Sequence, residues 1–141
     1  MKNLWSRSAA VLSVMGAVLL AGCGESQTPE QAYNAWEKEI FCGVLDDEEI
    51  VQEHMAVSEV SRTYVAQLRR NWERASYATK VSECHGRDDE KRIAQTRAVE
   101  VKPGHWQIEG ETVQPGRFKK VEGVHVARMD GGDLKVVPGN P

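Results

Sequence analysis

Three hydrophobic patterns follow one another along the chain. The first is unbroken: Ala9 to Leu20 is uncharged and mostly apolar. The second is helical. From Thr28 the apolar side chains recur every three or four positions, at Tyr33, Trp36 and Ile40, which predicts an amphipathic helix. Thr28 is placed to cap it, Pro29 suits its first position, Gln31 completes a capping box and Gly43 stops it. Asp46-Asp47-Glu48-Glu49 opens a second, shorter helix, because carboxylates are favoured at the positive end of the helix dipole. Ile50, His54 and Met55 fall on its inner side. Ser58 caps a third helix running to about Ala75, with Tyr64, Val65, Leu68 and Trp72 as its apolar stripe and Arg62, Arg69, Arg70 and Arg74 on its other faces.

The third pattern is that of strands, predicted from Tyr77 to Val137. Asp88-Asp89, Pro103-Gly104, Pro115-Gly116 and Gly131-Gly132 punctuate it as turns. A two-residue turn at Pro103-Gly104 sets Val101 opposite Trp106 and Val99 opposite Ile108. A three-residue loop from Pro115 to Arg117 then sets Val126 opposite Trp106 and Val124 opposite Ile108. This register gathers all six side chains on one face, whereas a one-residue slip would turn half of them to water. A last turn at Asp130 to Asp133 returns Leu134 to Val137 as a final strand, with Met129 opposite Leu134. The expected class is therefore α+β: N-terminal helices, then a curved antiparallel β-meander packed on the first and third helices, in a single domain over residues 28–141.

The N-terminal run changes the picture of where this domain sits. Lys2 and Arg7 precede it, and Ala21 and Gly22 follow it. That is the layout of an export signal. At 12 residues the run is short of the roughly 20 that a spanning helix requires. Leu20-Ala21-Gly22-Cys23 resembles the lipobox of bacterial lipoproteins. The resemblance implies that residues 1–22 are a signal peptide, that Cys23 is acylated, and that membrane lipid is the first partner. Gly24 stands where Asp commonly marks retention in the inner membrane, so the resemblance implies the outer membrane. Residues 23–27 would be anchor and short tether. Gly24 to Gln27 spans at most about 14 Å, which keeps the domain close to the membrane.

Removal of residues 1–22 leaves 119 of the 141 residues, enough for one domain with one modest core. The signal carries Lys2, Arg7 and no acid, so the mature chain has 16 Lys and Arg against 21 Asp and Glu, a formal charge of −5. No basic patch is present, which argues against nucleic acid as a partner. With Cys23 acylated, Cys42 and Cys84 are an even pair in an oxidising compartment, and a disulfide is expected between the end of the first helix and the first strand.

The order of helices, meander and aromatic-bearing strand resembles the NTF2-like and cystatin-like domains of small envelope lipoproteins. Many of those bind something in the cone between helix and sheet. Trp36, Trp72 and Trp106, all at core-facing spacing, are the candidate lining of such a cleft. Catalytic chemistry is not evident. His54, His85, His105 and His125 are each at least 20 residues apart, unlike the close ligand pairs of zinc sites, and no metal or cofactor is expected. Asp46 to Glu49 and Asp88 to Glu90 lack the alternating oxygen ligands and glycine of a calcium loop. No Gly-x-Ser-x-Gly elbow occurs, and Cys84-His85 on a strand would point to opposite faces. The expectation is a non-catalytic, membrane-anchored envelope domain that binds a protein partner or a small ligand. A periplasmic hydrolase or envelope-remodelling enzyme is one alternative, and an accessory or exclusion lipoprotein of a mobile element another. An apolar cavity above roughly 300 Å³ between the third helix and the sheet would favour a ligand. A filled core with an exposed apolar patch would favour a protein.

Overall fold

A computed structural model describes residues 27–85 and 88–141. The expected signal peptide, the acylated Cys23 and tether residues 24–26 lie outside the described residues. Among the described residues five helices come first: α1 (Pro29–Cys42), α2 (Asp47–His54), α3 (Glu59–Glu73), α4 (Tyr77–His85) and α5 (Asp89–Ala94). Five strands follow: β1 (Thr96–Lys102), β2 (His105–Glu111), β3 (Phe118–Lys120), β4 (Val124–Arg128) and β5 (Leu134–Pro138).

The first three helices start where their caps dictate. Thr28 and Gln31 close a capping box on α1, Asp46 and Glu49 close one on α2, and the Ser58 hydroxyl accepts from the Ser61 amide. The stretch expected to begin the sheet at Tyr77 is instead helical. The same cap physics decides it: the Thr79 amide donates to Ser76 Oγ and the Lys91 amide to Asp88 Oδ1. Asp88 thus starts α5 rather than turning a hairpin. None of the described α4 residues is buried, so packing of α4 itself supplies little. What ties it down is long-range. Cys42 and Cys84 form a disulfide with Cα atoms 5.5 Å apart. The pairing is as expected, but it joins α1 to a helix and not to a strand. Arg92, only 3% exposed, donates to the Glu83 carbonyl and pairs with Glu37 at 3.6 Å, linking α5 to α4 and α1.

The sheet is antiparallel in the order β1-β2-β4-β5, with β3 pairing beside β4 on the same edge of β2. Val126 stands opposite Trp106, as the turn arithmetic requires. The route to that register differs, however. β2 and β3 are joined by a six-residue loop, with Glu111 opposite Phe118 rather than a three-residue connection. The three-residue displacement is taken up at Val121 to Gly123, where the strand breaks between β3 and β4. Gly123 sits there at φ +88° with the Tyr64 hydroxyl against it.

The register of β1 is one residue off the expected one. Ala98 faces Ile108, Val99 faces Gln107 and Glu100 faces Trp106. The two-residue Pro103-Gly104 turn does form, but Lys102 faces His105 next to Glu100 facing Trp106, so Val101 is an extra, bulged residue. One extra residue flips the strand. Val99 and Val101 are turned outward, 41% and 52% exposed, and Ala98 replaces them over the core. The last hairpin also shifts by one. Met129 belongs to the turn, where its amide donates to the Asp133 carbonyl, and Arg128 is the residue opposite Leu134. Leu134 then shares a face with Val136 and is buried with it.

That inner face packs on α1, which meets β1, β2, β4 and β5. α3 meets α1, α2 and, in the sheet, chiefly β5, so the helix at the centre of the sheet is α1. Tyr33, Trp36, Ile40, Ile50, Val51, Met55, Val65, Ile108, Val124, Val126 and Val136 form the core. Both sheet edges are guarded. The Ala56 amide donates to the Val136 carbonyl along β5, and the outward amide of Ala98 on β1 is capped by Glu30 Oε1. Each of these bonds takes one edge group away from an added strand.

On the surface, Arg62 forks onto Glu48 at 2.8 and 3.1 Å. Those bonds, with a further one from Gln52, hold the Glu48 carboxyl down at about 2, from an ordinary 4.5. A depressed carboxylate stabilises the fold above its unfolded value and loses that contribution as pH falls through the folded one. Glu48→Gln should therefore lower stability at pH 7, converge with the wild type as pH falls towards 2, and so flatten the decline between pH 4.5 and 2, the whole effect being small because both groups are exposed. Urea melts at pH 7 and pH 3 test this. An unchanged difference between the two pH values would refute it.

Candidate functional site

The three tryptophans expected to line a cleft occupy separate settings. Trp36 on α1 is 2% exposed, stacked on Tyr64 with ring centroids 6.3 Å apart. Trp72 on α3 lies against Phe41, centroids 4.8 Å apart. Trp106 on β2 is only partly buried, and its ring carries the Arg128 guanidinium 5.6 Å from its centroid. The bulge at Val101 explains that partial exposure, because Glu100 rather than a valine stands beside the ring.

Four surface hollows are the principal concavities among the described residues. One of about 340 Å³ is lined by Glu59, Val60, Thr63, Tyr64 and Gln67, all from α3. It lies along one helix and does not enter the space between α3 and the sheet. A second, about 260 Å³, contains Lys38, His54 and Asp89 between α1, α2 and α5. Lys38 pairs with Asp89 at 3.0 Å and His54 lies 3.9 Å from Glu53, while Glu39 Oε2, also in its lining, is buried without a hydrogen-bond partner among the described residues. Burial is the main cause that holds the His54 imidazole below its ordinary value. A third, about 380 Å³, lies by the Gly132-Asp133 turn. A fourth, about 210 Å³, includes Trp72. Trp36 and Trp106 line none of the four.

A further group of polar side chains lies on the outer face of the sheet. Side chains alternate along a strand, so residues between the core-facing Val124, Val126, Trp106 and Ile108 point the other way. These are His125, Ala127, His105 and Gln107. Ala127 and His125 are nevertheless 2% and 5% exposed. Gln107 Nε2 donates to the Ile108 and Val121 carbonyls and closes the strand break beneath it. His105 Nδ1 lies 3.4 Å from His125 Nε2, with ring centroids 5.5 Å apart. The other nitrogen of His125, Nδ1, lies 2.9 Å from the Gly139 carbonyl oxygen. Partial desolvation first, then Lys102 and His125, hold the His105 imidazole below its ordinary value. Val99 and Val101 flank this patch on β1.

Sequence separation had set these two histidines apart. Their meeting was implicit in the register: with Trp106 opposite Val126, His105 faces Ala127, and His125 is its diagonal neighbour on the same face. Among the described residues no group of three His, Cys, Asp or Glu side chains converges as a metal cluster. No helix among them is long and apolar enough to cross a membrane. No protein family model, no characterised protein and no solved structure matches the chain.

Proposed function

We propose that the chain is a lipid-anchored protein of the bacterial envelope, attached to the outer membrane through Cys23, whose mature domain binds a protein partner without catalysis. The observation that carries the anchoring is Leu20-Ala21-Gly22-Cys23 directly behind the apolar run. The Cys42–Cys84 disulfide supports export, since such bonds persist mainly in oxidising compartments. Val99 and Val101, both exposed on β1, support a protein partner over an enclosed small ligand, and the four hollows all open at the surface. The fold reading extends to an NTF2-like or cystatin-like domain. It is supported by a single helix, α1, lying across four strands of an antiparallel meander.

Cys23→Ser tests the anchor. One acyl chain holds a protein only marginally and two or three hold it firmly, each buried CH₂ contributing about 0.8 kcal/mol. The variant should move from the membrane to the soluble envelope fraction, or remain as unprocessed precursor with its mass increased by the signal peptide. A variant that is processed normally and stays membrane-bound refutes the proposal. Crosslinking in intact cells followed by purification of the wild-type adduct would then identify the partner.

A further inference from the structure

We propose that His105 and His125 form a two-nitrogen site for a divalent transition-metal ion on the outer face of the sheet. The carrying observation is the gap between the rings. At 3.4 Å, His105 Nδ1 and His125 Nε2 are at the outer limit of a hydrogen bond. Two imidazole nitrogens bound to one ion at about 2.0–2.1 Å stand about 3.3–3.4 Å apart at a tetrahedral angle, with ring centroids a little over 5 Å apart, and about 2.8–3.0 Å apart at the right angle of tetragonal copper(II), which the rings reach by closing about 0.5 Å. The observed centroid distance is 5.5 Å.

The second shell fits the same role. A metal-bound imidazole ordinarily donates its other N–H to a carbonyl or carboxylate, which fixes its tautomer. His125 Nδ1 lies 2.9 Å from the Gly139 carbonyl, so Nδ1 carries the proton and Nε2 the free lone pair. His125 is also 5% exposed, so its ring is held in place. His105 is half-buried at the rim. In its Nε2–H tautomer it offers Nδ1 to the ion, and neutral rings release no proton on binding. Among the described residues no third protein ligand converges, and water would complete the coordination. Lys102 lies near enough to act on His105 and opposes a cation, which keeps the affinity modest. Nitrogen ligands exclude magnesium and calcium, and the general order of divalent affinities places copper(II) above zinc(II) and nickel(II).

The test uses the full processed protein in detergent, titrated with copper(II) held as a weak glycine chelate. One equivalent should bind, with an electron paramagnetic resonance spectrum showing two imidazole nitrogens. His105→Gln, at the half-exposed ring, should lower the affinity at least tenfold and remove one nitrogen from the spectrum. Its thermal melt without metal should stay within a few degrees of wild type. His54→Gln and His85→Gln should titrate like wild type, and zinc(II) should bind more weakly at the same site. Equal titrations for wild type and His105→Gln overturn the proposal. So does an equal loss in the His54 or His85 variants, which would mean adventitious binding only. Failure of membrane anchoring would leave this result untouched, because both rings belong to the folded domain.

Discussion

The double variant Cys42→Ser/Cys84→Ser should lose about 4 kcal/mol of unfolding free energy, the chain-entropy value for a cross-link spanning 42 residues. A domain of this size has about 5–15 kcal/mol in all, so the loss is a large share of it. At roughly 4 °C per kcal/mol, the melting temperature should fall by about 15 °C. The structure also says where the loosening begins. α4 has no buried residue among those described, and the disulfide is its covalent tie to α1. Arg92 holds it from the other side through the Glu83 carbonyl. Amide exchange should therefore quicken first over Tyr77–His85, well before the β2 and β4 amides respond. Thermal melts and exchange mapped by mass spectrometry check both parts. A double variant melting within 2 °C of the oxidised protein would show that the bridge is energetically idle. Uniform quickening over the whole domain would show that α4 is not the weakly held element.

Trp36→Ala should cost about 3–5 kcal/mol, the usual range for a buried tryptophan. Trp36 is the largest side chain of α1 in the core, contacting Tyr33 at 5.7 Å and Tyr64 at 6.3 Å between ring centroids. Trp36→Phe should cost less than Trp36→Ala, because the smaller ring leaves a smaller cavity. The buried Trp36 Nε1 also has no hydrogen-bond partner among the described residues. Phenylalanine removes that unsatisfied donor, whose burial alone costs about 1–3 kcal/mol, while keeping the aromatic stack. Trp106→Ala should cost less than half of what Trp36→Ala does, because Trp106 is only partly buried and its contact with Arg128 is solvent-facing. Urea unfolding of the three variants tests the order. If Trp106→Ala proves as costly as Trp36→Ala, the bulge at Val101 is not present in solution. If Trp36→Phe costs as much as Trp36→Ala, the indole N–H has a partner.

Local interactions were legible along the chain, and tertiary ones were legible only in part. Thr28, Asp46 and Ser58 start their helices as their side chains require, since a cap is a bond over three residues. Ser76 and Asp88 carried the same signal, but the expectation of a strand after Tyr77 masked it. A short stretch with few packed residues supports either pattern, and the caps and the disulfide decide for helix. Register shows the same division. The Trp106–Val126 pairing followed from counting residues, yet two departures from that count, a longer loop and a broken strand, cancel to produce it. At Val101 a single bulge had no such compensation and turned two valines to solvent.

By itself, then, the sequence determined the helix starts, the α+β order, the pairing of Cys42 with Cys84, and the N-terminal pattern on which anchoring is proposed. Each of these depends on neighbours within a few residues or on an even count of thiols. The tertiary structure alone decided that Val99 and Val101 face outward and that Arg128 rather than Met129 stands opposite Leu134. Those outcomes depend on one-residue differences between competing strand registers, and each such difference exchanges the two faces of a strand. Nothing local distinguishes the two faces when valine, histidine and tryptophan alternate on both. The choice falls to what α1 can cover.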